Sequence, residues 1–586
     1  MKRFPWFTGL VAVLALAAAD AVAQPAAVHR APVDRAVRAA VDAGERPSVI
    51  VRYRKGAAER LRRRFAMRGD RVRLDHAEID SLSVDLHPED VNAVALDPDV
   101  LWISANSRVY TDAARAATLA PAKPILDTAM LRKTLGLTSK FLTGRGVVIA
   151  VVDSGIAPTP DLTGRIIASY DFTTGGATPV YPSDGYGHGT HIAGTLTGSG
   201  RLSRGKYAGI AQGARLVSLK VLDAKGQGYT SDVIAAINFA VANRAALGIN
   251  IINLSLGHQI FESVTTDPLV RAVDKASAAG IVVVVSAGNY GINPATGTVG
   301  AAGITSPANA RSALTVGAIL TKGTVDRRDD VVAAFSSRGP TWHDGLVKPD
   351  FVTAGESLIA TSTSDMELDK NPKLRGPLPG YISLSGTSMA AAVASGIVAL
   401  MIEANRLGEG PGQALTPNTV KALLQFSALP VRGSTSGIPA VLEQGAGSLN
   451  AGGATTLAGV IDSAALPGTP WLELAVSPST AIGGITYPWA QQIVWGDQIV
   501  WGDSVARNEM AWGQQIVWGD QIVWGDSLLV DGNTPVASTF SVWSSMVVWG
   551  TNLVTWSAGQ QIVWGDLSAQ QIVWGDQVVW GDTLAQ

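Results

Sequence analysis

Four runs of nearly uninterrupted apolar residues mark the middle of this chain: Val147–Val152, Leu216–Val221 (interrupted by Ser218 and Lys220), Ile251–Leu254 and Ile281–Val285. They are short and rich in β-branched residues, as strands buried on both faces are. Between them, Ser231–Arg244 and Asp267–Ala279 carry helical spacing. Strands that alternate with helices predict an α/β domain, a mostly parallel sheet flanked by helices, over residues 131–460. Sites in such sheets form at the carboxyl ends of the strands. A longer apolar stretch, Ala390–Met401, reads as a core helix.

Ahead of this domain the pattern is shorter. Ser48–Tyr53, Asp80–Leu86 and Val100–Ile103 read as strands; Ala57–Met67 and Pro88–Leu96 read as helices, the second with proline near its start. They predict a small α+β domain over 46–110. Residues 24–45, rich in Ala, Arg and Pro, read as a linker, and 111–130 as a loose connection. Charge is divided within the small domain. Eleven basic and two acidic residues lie between Arg46 and Arg73, whereas Leu74–Val100 holds eight acidic and no basic residues. Either the two halves attract each other across the domain, or one of them docks elsewhere.

The two ends differ from the rest. Lys2 and Arg3 precede an apolar run, Leu10–Ala19, and Ala21-Val22-Ala23 fits a small-x-small cleavage pattern. Residues 1–23 therefore read as a secretory signal peptide, and the protein is expected to be secreted, extracellular or cell-surface associated. The run is short of the roughly 20 apolar residues of a spanning helix, so no membrane span is expected. After residue 463 the composition changes. Twelve of the 16 tryptophans lie from Trp489 to Trp580. The unit Gln-Ile-Val-Trp-Gly-Asp recurs, beginning for example at Gln492, Gln515, Gln521, Gln561 and Gln571. Gln-Ile-Val-Trp is a short strand with Ile and Trp on one face, and Gly-Asp suits a two-residue hairpin turn. Region 463–586 is thus either a β-rich meander or a disordered apolar tail. Cell-surface or carbohydrate contact through its tryptophans is an open expectation.

At 586 residues, length implies about three or four domains. An apolar fraction of 47% is enough for large cores, and a net charge of −2 gives no reason to expect nucleic acid as a partner. With no cysteine, disulfides, thiolate catalysis and cysteine zinc sites are excluded.

Three motifs in the large domain carry candidate chemistry. Asp153, in Val-Val-Asp-Ser-Gly, ends an apolar strand, where a carboxylate can orient an imidazole or serve as a turn residue. His188, in Gly-His-Gly-Thr-His-Ile-Ala-Gly, sits between glycines at a helix start and suits a base acting near neutral pH. His188 and His191 form an alternative metal pair one turn apart. Ser388, in Ser-Gly-Thr-Ser-Met-Ala, opens the apolar helix. There, backbone N–H groups and the helix dipole favour developing negative charge, although capping is the competing role. A fourth element, Ser286-Ala287-Gly288-Asn289, places a side-chain amide at a strand end.

The order Asp153, His188, Asn289, Ser388, each within its small-residue motif, resembles the subtilisin-like serine proteases (subtilases) over about 131–460. The resemblance implies a subtilisin-like fold and a serine endopeptidase. In it Ser388 is the nucleophile, His188 the base, Asp153 its orienting carboxylate and Asn289 an oxyanion donor. It also implies that Ser255, Leu256 and Gly257 bind an extended polypeptide substrate and that Ser306-Pro307-Ala308 lies near the specificity pocket. No acidic residue stands in these segments, which favours apolar side chains before the scissile bond. Residues 46–110 resemble the family's propeptide, a chaperone and inhibitor removed by self-processing between about Ile103 and Ala120. No cofactor is required and no metal ligand is assigned. Family members often bind structural calcium, and Asp161 matches one ligand position. The loop Gly198–Tyr207 carries Arg201, Arg204 and Lys206 but no carboxylate, so that site is expected to be lost.

Overall fold

The computed structural model describes residues 29–111, 127–138, 141–293, 296–408, 414–431, 436, 438–462, 472 and 476–495, with short strand segments between 498 and 573. The signal-like residues 1–23 lie outside them.

The N-terminal unit runs α1 (Arg35–Asp42), β1 (Ser48–Tyr53), α2 (Ala58–Met67), β2 (Arg71–His76), β3 (Ser81–Asp85), α3 (Asp90–Ala95), β4 (Val100–Ala105) and a short β5 (Arg108–Tyr110). Its antiparallel sheet has the order β2-β3-β1-β4. Alternate residues Val49, Val51, Leu82 and Val84 share a core with Leu61 and Phe65 of α2 and Val91 and Val94 of α3. The expected linker 24–45 is corrected in its second half. Asp34 caps α1 by accepting from Ala36 N at 2.7 Å, and Ala31 and Val37 are in the core. An Ala/Arg-rich stretch is also good helix material, and one apolar stripe is enough to dock it. The divided charges meet within the unit: Arg64 and Arg60 pair with Asp97, Arg68 with Asp90, and Arg73 with Asp85 at 2.8 Å.

The large domain is built on β6 (Val148–Asp153), β7 (Ile166–Asp171), α4 (His188–Thr197), β8 (Arg215–Lys220), β9 (Gln227–Tyr229), α5 (Thr230–Ala242), β10 (Ile249–Leu254), α6 (Pro268–Ala278), β11 (Val282–Ser286), β12 (Leu314–Leu320), β13 (Phe351–Ala354) and α7 (Thr387–Leu407). Seven strands pair in parallel in the order β7-β8-β6-β10-β11-β12-β13, with two-residue antiparallel strands at Thr178–Pro179 and Val331–Val332 making the sheet mixed. Every residue of β6 is buried, and alternate residues face opposite sides. Ile149 and Val151 join the core of α4 and α7, whereas Ala150 and Val152 join that of α5 and α6. A two-faced sheet of this kind needs the uninterrupted apolar strands seen in the sequence. Among the described residues α7 alone is long and apolar enough to cross a membrane, and 94% of that stretch is buried inside the domain.

The expected boundary at 463 also moves. A hairpin of β14 (Ser479–Ile482) and β15 (Ile485–Pro488) packs on the domain, with Ile482, Tyr487 and Trp489 in its core. Ala490 N donates to Ala428 O (2.7 Å) and Gln491 N to Phe426 O (3.0 Å), so the packed body extends to about residue 491. The composition changes at 463, but burial follows these few large side chains. Immediately afterwards Gln492–Trp495 pairs antiparallel with Gln498–Trp501, with Trp495 opposite Gln498. The units beginning at Gln515 and Gln521 lie outside the described residues.

The N-terminal unit sits on α5 and α6, where Ile50 and Ile79 join their core and Lys275 pairs with Glu78 at 2.8 Å. It also caps α5. Asn106 Oδ1 accepts from Ser231 N and the Ser107 carbonyl from Thr230 N, both at 2.9 Å.

Candidate active site

β6 is the sheet's first strand in sequence and lies in its interior, between β8 and β10, so the crossover direction reverses there. Asp153 ends it. Both Asp153 carboxylate oxygens face His188 Nδ1, at 2.9 and 3.0 Å, and Oδ1 also accepts from Ser154 N at 2.8 Å. His188 is the first residue of α4. Its other ring nitrogen, Nε2, is buried without a hydrogen-bond partner. The close approach of α4 to β6 requires Gly189, where a Cβ would fall 2.1 Å from Gly155 O.

Asp184 holds the start of α4. Its Oδ1 accepts from Gly187 N (2.8 Å) and Tyr186 N (3.1 Å), and its Oδ2 from Thr190 N (2.9 Å) and Thr190 Oγ1 (2.7 Å). Burial raises its pKa above the usual carboxylate value, against those hydrogen bonds. Sequence reasoning missed Asp184. The signal was an acidic residue just ahead of a helix start. His191 points elsewhere: its Nε2 meets Leu358 O at 3.0 Å, and burial pushes its pKa down to about 3. The two histidines therefore do not converge on a shared ion, and the metal-pair alternative falls.

α7 packs against α4, and its second residue is Ser388. Gly386 precedes it at φ 153°, ψ 161°, backbone open to glycine. Ser388 Oγ donates to Ser255 O at 3.2 Å, while Ser255 Oγ donates to Ser388 O at 3.1 Å. Asn253 donates to Ser255 Oγ and accepts from Ser395, each at 2.9 Å, tying this strand end to α7. The Asn289 Oδ1 accepts from Thr387 N (3.0 Å) and Thr387 Oγ1 (3.1 Å). That fixes the amide's rotation, with Nδ2 as its donor end. The role of Thr387 in holding Asn289 is visible only when the two segments are brought together.

Ser255, Leu256, Gly257, Ser286, Gly288, Asn289, Thr305, Thr387 and Ser388 line one cleft together with Tyr110. Tyr110 enters as part of a strand. β5 pairs antiparallel with β9, and on its other edge Tyr110 exchanges hydrogen bonds with Gly257, N to O at 3.2 Å and O from N at 3.3 Å. Ser306 does not line the cleft but braces it. It exchanges backbone bonds with His258, and its hydroxyl donates to Asp267 at 2.7 Å.

Asp161, which the resemblance matched to a calcium-ligand position, is buried. Its Oδ1 accepts from Leu202 N at 3.1 Å and its Oδ2 from the Tyr381 hydroxyl at 2.6 Å, so protein donors engage both oxygens. Lys206 Nζ stands 5.4 Å from the Tyr207 ring, adding positive charge to the same loop.

The model of the subtilase family matches residues 144–455. Over 311 residues the chain is 39% identical to serine protease AprX of Bacillus subtilis, covering 52% of this chain and 66% of that one. It is 34% identical over 331 residues to M-protease of Shouchella clausii, covering 55% and 69%. Fervidolysin from Fervidobacterium pennivorans, a keratinolytic enzyme related to subtilisin, superposes with a TM-score of 0.53 at 22% identity, over 70% of this chain and 61% of that one, a likeness of fold. With a two-faced parallel sheet, a cleft at its carboxyl edge and a match spanning that sheet, the chain belongs to the subtilase family of serine proteases.

Proposed function

We propose that the protein hydrolyses peptide bonds as an endopeptidase through an acyl-enzyme on Ser388. The carrying observation is the His188 ring, held by Asp153 at Nδ1 and unpartnered at Nε2, at the head of the helix that packs on Ser388's helix. Ser388 Oγ attacks the carbonyl carbon and His188 Nε2 takes its proton. The same proton passes to the leaving amine, and water then repeats the sequence to release the acid. Asp153 keeps Nδ1 protonated and stabilises the imidazolium. Asn289 Nδ2 and the Ser388 backbone N–H receive the oxyanion. Ser255–Gly257 on one side and β9 on the other hold the polypeptide as an added strand.

On this reading the N-terminal unit is a propeptide whose tail occupies the cleft. Tyr110 lies opposite Gly257 in antiparallel register, and Ser255, two residues before Gly257, has its carbonyl accepting from Ser388. Self-processing is assigned to the bond after residue 112, within the expected window; residues 112–120 lie outside the described ones. Residues 1–23 direct export, and Asp161 needs no calcium. A serine-directed fluorophosphonate tests the assignment: it should label the wild type and not Ser388→Ala, and labelling that survives the substitution overturns it.

A further inference from the structure

β5 also carries side-chain information. Directly opposite residues of an antiparallel pair share a face, and diagonal neighbours are within reach of long side chains. Arg108 is opposite Tyr229 and diagonal to Gln227. Its guanidinium carbon is 5.7 Å from the Tyr229 ring centroid, and its Nη1 donates to Gln227 Oε1 at 3.0 Å. The same ring receives a second cation, Arg73 of β2, at 5.9 Å. Asp232, at the start of the following helix, feels Arg73 electrostatically. Between these partners Val109 turns the other way and is fully buried among the residues around α5. The edge strand therefore offers the incoming chain an apolar position next to one that meets an aromatic face and a carbonyl oxygen.

We infer that Tyr229 and Gln227 form a subsite that selects arginine five residues before the scissile bond in polypeptide substrates. This rests on the endopeptidase reading and on the cut proposed two residues beyond Tyr110, which pairs with Gly257. An exposed cation–aromatic contact with one charge-assisted hydrogen bond gives a preference of about 3- to 10-fold over alanine. Arginine exceeds lysine, because a planar guanidinium stacks and bonds sideways at once.

The test is a cleavage profile of a mixed peptide library, with bonds located by mass spectrometry, for the wild type and Tyr229→Leu. The expected result is arginine enriched 3- to 10-fold at that fifth position, and the enrichment lost in Tyr229→Leu whatever its total activity. Arginine at the alanine level in the wild type, or enrichment retained in Tyr229→Leu, overturns the subsite. If nothing is cleaved and no fluorophosphonate label is taken up, the protease reading fails instead. The subsite is then read by a double-mutant cycle of Arg108→Ala and Tyr229→Leu on the Tm of the full chain, in which Arg108 itself fills it. Shifts that add without coupling overturn the proposal.

Discussion

Trp489 is the first tryptophan of the C-terminal series and is 4% exposed. Its Nε1 donates to Thr480 Oγ1 at 2.8 Å, and Asn450 Nδ2 donates to that same oxygen at 2.8 Å. Next to it, the Tyr487 hydroxyl donates to Asp326 (3.0 Å) and accepts from Arg327 N (3.1 Å). Trp489→Ala removes a full aromatic side chain from this core, a loss of about 3–5 kcal/mol by cavity and transfer terms. At the low end of 2–4 °C per kcal/mol, suited to a body of this size, Tm falls by about 6–10 °C. Thermal melts of the full chain in a Ser388→Ala background, which prevents self-digestion, measure this. A chain ended after residue 491 should keep the parent Tm, and one ended after 462 should lose at least as much as Trp489→Ala. A chain ended at 462 that melts within about 2 °C of the parent would show that the hairpin is a passenger.

Three further outcomes are expected. Asn289→Ala should lower kcat about 100- to 1000-fold with KM little changed, and Thr387→Val should reproduce part of that loss because it removes one of the two bonds that hold the amide; a Thr387→Val enzyme with parental kcat removes the positioning role of the hydroxyl. Glu262, buried near Ser104 of the N-terminal unit, has its pKa pushed up to about 8 by burial first and then by Asp267 and Asp34; His258 is the other titratable group facing Asp34. Its folded pKa lies above its ordinary 4.5, so protons favour the folded, docked state: that support is complete below pH 4.5 and gone above about 8, and Glu262→Gln should flatten the fall of Tm across this window, whereas an unchanged slope assigns the titration elsewhere. Asp350 forms ion pairs with Lys348 and Lys421, each at 2.8 Å and all fully buried, and burial pushes Lys348 down to about 7; Asp350→Asn strands two cations and should cost about 3–5 kcal/mol in a denaturation series, a neutral result refuting the role.

The site was legible in the sequence where small residues flank a polar one. Asp153, His188, Asn289 and Ser388 each stand in such a segment because a strand end or helix start must approach another backbone closely. Asp184 and Thr387 were not legible as site residues, because their work is done on partners chosen by the fold: the start of α4 for one, the Asn289 amide for the other. The large sheet was readable because burial on both faces leaves uninterrupted apolar runs. The outer limits were not. α1 docks through one narrow stripe, and the β14–β15 hairpin through three large side chains, too few to change local composition.

The cap on α5 has a kinetic consequence. Asn106 and Ser107 supply acceptors to the first N–H groups of a helix that makes no side-chain cap of its own. When the N-terminal unit departs, those groups turn to water, and a helix start without its cap frays at a cost of about 1 kcal/mol. Because β9 runs directly into α5, the fraying begins at the strand where a polypeptide is received. Amide exchange at Thr230 and Ser231 should therefore be slow in the full-length chain and faster once residues 106 and 107 are gone. Those two amides report the departure of the N-terminal unit independently of any peptide being cut.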